Sequence, residues 1–468
     1  MDGKPPSYDE LLDLTRRQAR QIEELRAEVE RLKGELEQSR RAGKRQAAPF
    51  SKGQPKAQPQ RPGRKAGHLP SHRTAPPPEQ VDRTIEVPLP AECPECHAPL
   101  DDVPVTVHDQ YQIDLPEPKP VVTRFRVPVA RCPACYRRVQ GRHPEQTSDA
   151  LGAAAVQFGP RLLGFAADLK HRIGTPFRKC AAVLTTLTGL VVSAAALVRG
   201  SQRLARLAGP SYDALVAAAR QSPVQHVDET GWKIGGRSAW LWVFADTHAT
   251  LYRIRHSRGH EMVVEVLGED YDGVLVSDCF LAYDPLSFTK SKCAAHLLKR
   301  CSEVEQGKTR GAVRFSRRVA ALLRRAMALK RRRGTISDRG YAVLRGKIHA
   351  ELDRLLSGTY TDPDNAKLAK LLRRHGGSVL GFLDHDGVDA TNNLAEREVR
   401  PAVIARKVSA GNRTEAGAET HAVLASVLRT LCRQGRPILE GLMTLLRHGP
   451  GHVLQFDHIP APDAAATL

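Results

Sequence analysis

Three acidic residues stand where an acid is costly. Asp228 follows an apolar run ending at Val227 in HVDETGW. Asp278 follows Val274, Leu275 and Val276 in GVLVSDCFLAY, and Glu396 lies in TNNLAEREVRP. A carboxylate at the end of a buried strand is unfavourable unless something compensates its charge. Two such strand ends side by side could share a divalent cation, and a cluster of hard oxygen ligands suits two-metal phosphodiester chemistry. Each acid also has a plainer reading. Asp228 could sit in a strand-end turn, and Asp278 could cap a helix over Leu281. Asn393 followed by Glu396 is a helix N-terminal capping pattern, and Pro401 would then end or kink that helix. The chemistry therefore rests on all three acids in their order and setting. His226 and Glu229 flank Asp228 and are expected on the opposite sheet face.

A second chemistry is written in cysteines. CPEC (Cys93, Cys96) and CPAC (Cys132, Cys135) are two knuckles that can each present two thiolates to one tetrahedral zinc. Between them, Val105 to Ile113 and Val121 to Val127 alternate as strands, so a zinc ribbon is expected. Four thiolates leave no open coordination position, which makes the site structural. Arg131, Arg137 and Arg138 surround the second knuckle and could touch phosphates. Cys293 and His296 share one face if their segment is helical. Only two ligands are visible there, so a packing role is favoured over a second metal. Trp232, Trp240 and Trp242 read as core rather than as base-stacking platforms.

The elements that must position the acids can be read next. The Asp228 run is followed by β-rich runs at Ala239–Ala245 and Thr250–Ile254. A helix near Glu261–Leu267 comes next, then the Asp278 run, with a fifth strand near Lys290–Cys293. The order β-β-β-α-β matches the ribonuclease H-like fold up to its second acid. A helical, basic stretch follows: Lys299 to Arg333 carries thirteen Lys or Arg against Glu303 and Glu305. It reads as an insertion before the helix of Glu396, with a DNA-facing surface.

Upstream, Leu11, Thr15, Gln18, Ile22, Leu25, Val29, Leu32 and Leu36 fall on alternating three- and four-residue steps. This heptad seam reads as a coiled coil that makes a homo-oligomer, or as an amphipathic helix on its own chain. Arg40 to Ala75 holds ten Lys or Arg and no acid among many Pro, Gly and Gln. That is a linker expected to be disordered, either a plain spacer or a phosphate-neutralising arm. Residues 150–220 read as short helices, with Ser193 as a cap; they fit a helix-turn-helix or a plain helical linker domain.

The predicted fold class is therefore multidomain α/β. It comprises a coiled coil (1–38), a basic linker (39–80), a zinc-ribbon domain (81–145) and a helical domain (146–220). A ribonuclease H-like core (221–435) follows, with a helical insertion at about 300–375, and then a weakly structured C-terminal tail (436–468). The formal charge of +20 favours a polyanionic partner, first of all nucleic acid. No run of about 18 apolar residues exists, and MDGKPPSYDELLDL lacks a signal-peptide apolar region, so a cytoplasmic, nucleoid-associated protein is expected. The two CxxC pairs fit metal binding in a reducing compartment.

The chain resembles the insertion-sequence-66 family of bacterial DDE transposases. GHLPSHR, the two knuckles, HVDETGWKI, WLWVF, LVSDCFLAYD, CAAHLLKR, TNNLAEREVRPAVIARKVSAGNRTEAG and LRTLCRQG carry the resemblance, in matching order over nearly the whole chain. It implies that Asp228, Asp278 and Glu396 are a DDE triad holding two Mg²⁺ ions. It also implies cleavage at the ends of an insertion element and strand transfer into target double-stranded DNA, with or without accessory proteins of the element. Arg397, Arg400, Arg406 and Lys407 are expected to contact phosphates near the scissile bond, or else to form a solvated basic face. A non-catalytic DNA-binding regulator and a purely hydrolytic nuclease of the same fold are the alternatives.

Overall fold

The computed structural model describes residues 8–44, 73–306, 308 and 310–459. Most of the expected basic linker lies outside the described residues. The chain divides into two compact units, Met1–Glu117 and Pro118–Leu468. Among the described residues no helix is long and apolar enough to cross a membrane.

The first unit holds helix α1 (Tyr8–Lys44). Its seam residues Ile22, Leu25, Val29 and Leu32 remain 47–59% exposed, an apolar stripe left uncovered among the described residues. The side chains of Leu11 and Leu36 lie outside the described residues. Ion pairs Arg31–Glu28 and Lys33–Glu30 lace the polar face.

The second unit begins with a small hairpin, β1 (Val129–Arg131) and β2 (Arg138–Gln140), around the second cysteine knuckle. The strands expected at 105–113 and 121–127 are not formed, and Val107, Val121 and Val122 are exposed. An alternating pattern becomes a strand only where a neighbour completes its hydrogen bonds and covers one face, and here none does.

The main sheet has the order β5-β4-β3-β6-β7. Its strands are β3 (Val224–Ile234), β4 (Arg237–Ala245), β5 (Thr250–Arg255), β6 (Val274–Ser277) and β7 (Thr289–Lys292). β3, β4 and β5 are antiparallel, whereas β6 and β7 run parallel to β3. This is a mixed sheet in a mixed α/β body. The expected element order is present, with helix α5 (Glu261–Leu267) crossing from β5 to β6.

Three helices precede the sheet: α2 (Pro160–His171), α3 (Phe177–Thr188) and α4 (Ala194–Gln221). Ser193 caps α4 by accepting the Ala196 N–H at 3.2 Å, as expected. Tyr212 and Leu215 of α4 belong to the same core as Val227, Trp242 and Phe244 of the sheet, so α4 is part of the sheet's own packing. After β7 come α6 (Ala294–Glu305), α7 (Arg314–Arg331), α8 (Asp338–Ser357), α9 (Pro363–His375) and α10 (Gly381–Asp384). They share a second core around Leu297, Leu322, Leu372 and Phe382. α7 buries Phe315, Val319, Leu322, Leu323 and Ala326, which leaves Arg314, Arg317, Arg318, Arg324 and Arg325 outside.

Helix α11 (Asn393–Ser409) packs Ala395, Val399 and Ala402 against one sheet face, over Trp232, Leu241 and Val243. Pro401 lies inside α11 and does not end it. Helix α12 (Glu415–Arg433) covers the β5 edge. There the Tyr252 and Thr250 N–H groups donate to the Ser426 and Thr430 hydroxyls at 2.8 and 3.1 Å. An edge strand's open backbone is thus satisfied by helix side chains. The weakly structured tail expected after residue 436 is instead helix α13 (Ile438–His448). Its Leu442, Leu445 and Leu446, with Leu454 and Phe456 beyond it, fill the main core. The apolar spacing of ILEGLMTLL matches a helical face, which closes over α2 and α4.

Candidate active site

Asp228 lies within β3 rather than at its end, because β3 continues to Ile234. The parallel register pairs Val224 with Val274 and His226 with Val276. Carried two residues further, that offset of fifty brings Asp228 level with Asp278, just beyond β6. Neighbouring strands lie about 4.8 Å apart, so the two residues stand side by side, Asp228 on β3 and Asp278 at the exit of β6. Glu396 sits in the first turn of α11, the helix laid on this face. All three residues are only half-buried. Side chains alternate along a strand, so the face carrying Asp228 also carries His226, Thr230 and Trp232. His226 therefore shares the face of Asp228, contrary to expectation. Glu229 does point the other way: it accepts the Tyr283 hydroxyl at 2.6 Å and pairs with Arg258 at 2.8 Å.

Each aspartate is braced through one oxygen. Asp228 Oδ1 accepts its neighbour's N–H, from Glu229, at 2.9 Å, and Asp278 Oδ1 accepts the Phe280 N–H at 2.9 Å. The short 3₁₀ turn over Leu281–Tyr283 that follows has Phe280 as its N-cap and no side-chain cap bond, so the capping role expected of Asp278 is absent. The capping pattern proposed for Glu396 is absent: the N-cap is Asn392, and no side-chain cap bond is made there. Burial, followed by the charge of Glu229 and then those of Asp278 and Glu396, pushes the Asp228 carboxyl up to about 7. Burial and like charge together disfavour the Asp228 carboxylate, a condition that a divalent cation relieves. Hard oxygen donors from two aspartates and a glutamate fit Mg²⁺.

Several positioning residues were missed in the sequence. Asn392 Oδ1 accepts from His226 Nδ1 at 3.1 Å, its side-chain amide donates to the Val227 carbonyl at 2.8 Å, and its own backbone N–H goes to Cys293 Sγ at 3.1 Å. It thereby ties the start of α11 to β3 and to the start of α6. Buried Lys292 donates to the Asp278 carbonyl at 2.9 Å and to Ser277 Oγ at 3.1 Å. Beyond α11, Asn412 locks its loop to β3. It accepts Trp232 Nε1–H at 2.8 Å and donates its N–H to the Lys233 carbonyl at 2.9 Å. Gly411 makes this approach feasible: its φ is +101°, and a Cβ there would meet the Lys233 carbonyl oxygen at 2.3 Å. The TNN and AGN triplets of the sequence were the available signals.

Glu398, two residues from Glu396, is buried, paired with Arg429 at 2.5 Å, and accepts the Thr250 hydroxyl at 3.1 Å. His296 Nδ1 lies 3.7 Å from Glu396 Oε1. Contact with the Cys293 thiol, ahead of the charges of Glu396 and Asp278, pushes this imidazole up to about 9. Of the basic residues expected on DNA, Arg397 and Arg400 are exposed. Arg406 instead donates to Thr230 Oγ1 at 3.2 Å and to the Gly231 carbonyl. Lys407 is half-buried.

The cysteine pairs have matching local geometry, each described within its own unit. Cys93 N–H donates to Ala98 O and His97 N–H to Cys93 O, just as Cys132 N–H donates to Arg137 O and Tyr136 N–H to Cys132 O. His97 and Tyr136 take positive φ values of 59° and 54°. Backbone N–H groups of Cys96 and Glu95 lower the Cys93 thiol, and those of Cys135 and Ala134 lower Cys132. These turns prepare thiolates of the kind that bind metal.

Residues 155–420 match the family described as Transposase IS66 family. That span is more than half of the chain and includes the sheet, the insertion and all three acids. The chain belongs to the IS66 transposase family, and DNA is accordingly its partner. It is also 26% identical over 413 residues to the uncharacterized protein y4qI of Sinorhizobium fredii (strain NBRC 101917 / NGR234), covering 80% of this chain and 73% of that relative.

Proposed function

We propose that this transposase works through a DDE site in a ribonuclease H-like core, with Asp228, Asp278 and Glu396 as its metal ligands. The observation that carries the reading is the register. An offset of fifty between the parallel strands β3 and β6 sets Asp228 level with Asp278, and Glu396 lies in the first turn of the helix on that face. The element order β-β-β-α-β supports such a core. Asp228 and Asp278 would hold two Mg²⁺ ions between them, with Glu396 completing one site. Those ions supply activation of water, and later of a 3′-hydroxyl, together with stabilisation of the leaving oxygen. Asn392 and Lys292 hold the loop, strand and helix that carry the three acids. Hydrolysis at the element's end and attack of the freed 3′-hydroxyl on target DNA are the reactions proposed.

The remaining parts have supporting roles in the same reading. The exposed arginine face of α7, with Arg397 and Arg400, is suited to phosphates. The uncovered stripe on α1 is suited to pairing with a second copy as a coiled coil. Each cysteine knuckle is suited to supplying two of the four thiolates of a structural zinc.

The test is a cleavage assay on labelled DNA carrying the element's own ends, with Mg²⁺ or with EDTA. Metal-dependent cuts at the element edge, with joined products, are expected. Cuts without joined products would assign a nuclease, and binding without cuts in any metal would remove the catalytic reading.

A further inference from the structure

We propose that Cys293, His296 and Glu396 form a binding site for a zinc-class cation. It is distinct in donor set from the all-oxygen site of the three acids and shares only Glu396 with it. Cys293 immediately precedes α6, and His296 follows three residues on, so both face the same way. The start of α11 brings Glu396 to them. One ligand atom from each of the three lies within 4.8 Å of the others.

The geometry is close to what a tetrahedral ion demands. Bonds of about 2.0–2.1 Å to nitrogen and oxygen set those atoms about 3.3 Å apart. His296 Nδ1 and Glu396 Oε1 are 3.7 Å apart, so a shift of a few tenths of an ångström brings this pair to that spacing. His296 Nδ1 is itself buried and lacks a hydrogen-bond partner, the state a bound ion would satisfy. Cys293 Sγ already accepts the Asn392 N–H at 3.1 Å, the kind of outer-shell bond that orients a metal-bound sulfur. Sulfur and imidazole select zinc-class ions over magnesium. Three protein ligands leave a fourth position open to water. The side chains of His296 and Glu396 are 41% and 42% exposed, which gives the ion an entry path to the fully buried thiol.

The site has a regulatory consequence, which rests on the proposed catalytic role of Glu396. A carboxylate engaged by this ion is withheld from the magnesium pair, so zinc-class ions act as a brake on DNA cleavage.

The experiment counts metal. Full-length protein is stripped with a chelator, reloaded with zinc, dialysed and assayed for zinc per chain by plasma emission, alongside Cys293→Ala, His296→Ala and Glu396→Gln. Each variant is expected to hold one zinc fewer per chain than the unaltered protein, whatever the cysteine knuckles retain. In the cobalt form, a thiolate-to-cobalt charge-transfer component should disappear in Cys293→Ala. Metal-free melting curves identify any variant that fails to fold, and Glu396→Gln, half-exposed, is the substitution least exposed to that failure. Equal zinc in all four proteins overturns the site, as does a loss confined to the cysteine and histidine variants. The count is made without DNA or magnesium, so its failure is distinguishable from failure of the cleavage assay.

Discussion

Replacing Asp228 by Asn should make the metal-free protein more stable, by an amount that grows with pH. The carboxyl is raised from 3.8 to about 7 by burial and by neighbouring acids. A carboxylate whose folded pKa lies above its unfolded value retains in the folded state a proton that the unfolded state releases. Its effect on stability is therefore nil well below pH 3.8, becomes unfavourable as pH rises, and levels off above about 7. The shift, about 7 minus 3.8, is about 3 units, and each unit corresponds to about 1.4 kcal/mol. At pH 8 the full penalty is about 4 kcal/mol, whereas at pH 5 only about 2 kcal/mol has accrued. Asn removes the charge and can still accept the Glu229 N–H. The assay is urea unfolding of the core transition in EDTA at pH 5 and pH 8. The variant's advantage should roughly double between them. Mg²⁺ should stabilise the unaltered protein at pH 8 and have little effect on the variant. An advantage that does not change with pH would refute the reasoning, because burial and the neighbouring acids would then not be raising the carboxyl.

Other outcomes follow from the same contacts. Asp278→Ala should abolish magnesium-dependent cleavage while leaving DNA binding, read by mobility shift, largely intact. Asn392→Ala leaves the Val227 carbonyl and the His226 ring without their partner; a loss of about 2–4 kcal/mol in denaturant unfolding is expected, with reduced cleavage. Gly411→Ala forces a side chain into positive φ against the Lys233 carbonyl and should cost at least about 2 kcal/mol by the same measurement. Arg429→Ala strands buried Glu398 and should cost about 3–5 kcal/mol. Ile22→Lys with Leu25→Lys should lower the mass seen by light scattering if α1 pairs between copies.

The strands and helices of the sheet region were legible because each is strongly patterned. AWLWVFA and TLYRI are short apolar runs bounded by turns, and EMVVEVL has helical spacing. The same kind of reading failed where pattern and partner part company. Val105 to Val127 alternates like a hairpin, yet nothing pairs with it. Residues 438–456 were read as a tail, yet they close the core, because the surface they cover is assembled from α2 and α4 far upstream. His226 was misassigned in face, although a period of two already puts it with Asp228.

Asp228 and Asp278 could be singled out from residue type and setting, since an ionisable residue ending an apolar run is rare enough to notice, whereas Glu396 was assigned with them through the family resemblance. Their convergence was not identifiable in that way. It depends on the parallel register of β3 and β6 and on the docking of α11 through Asn392, Arg406 and Asn412. The same holds for Glu396, which meets Cys293 and His296 only because α6 and α11 begin side by side. Sequence by itself determined which groups can bind metal, accept a proton or bury a face, for these are properties of single residues and of their local period. Tertiary structure alone decided which groups stand together, because contacts between residues fifty or more positions apart depend on strand register and helix docking, which no local pattern encodes.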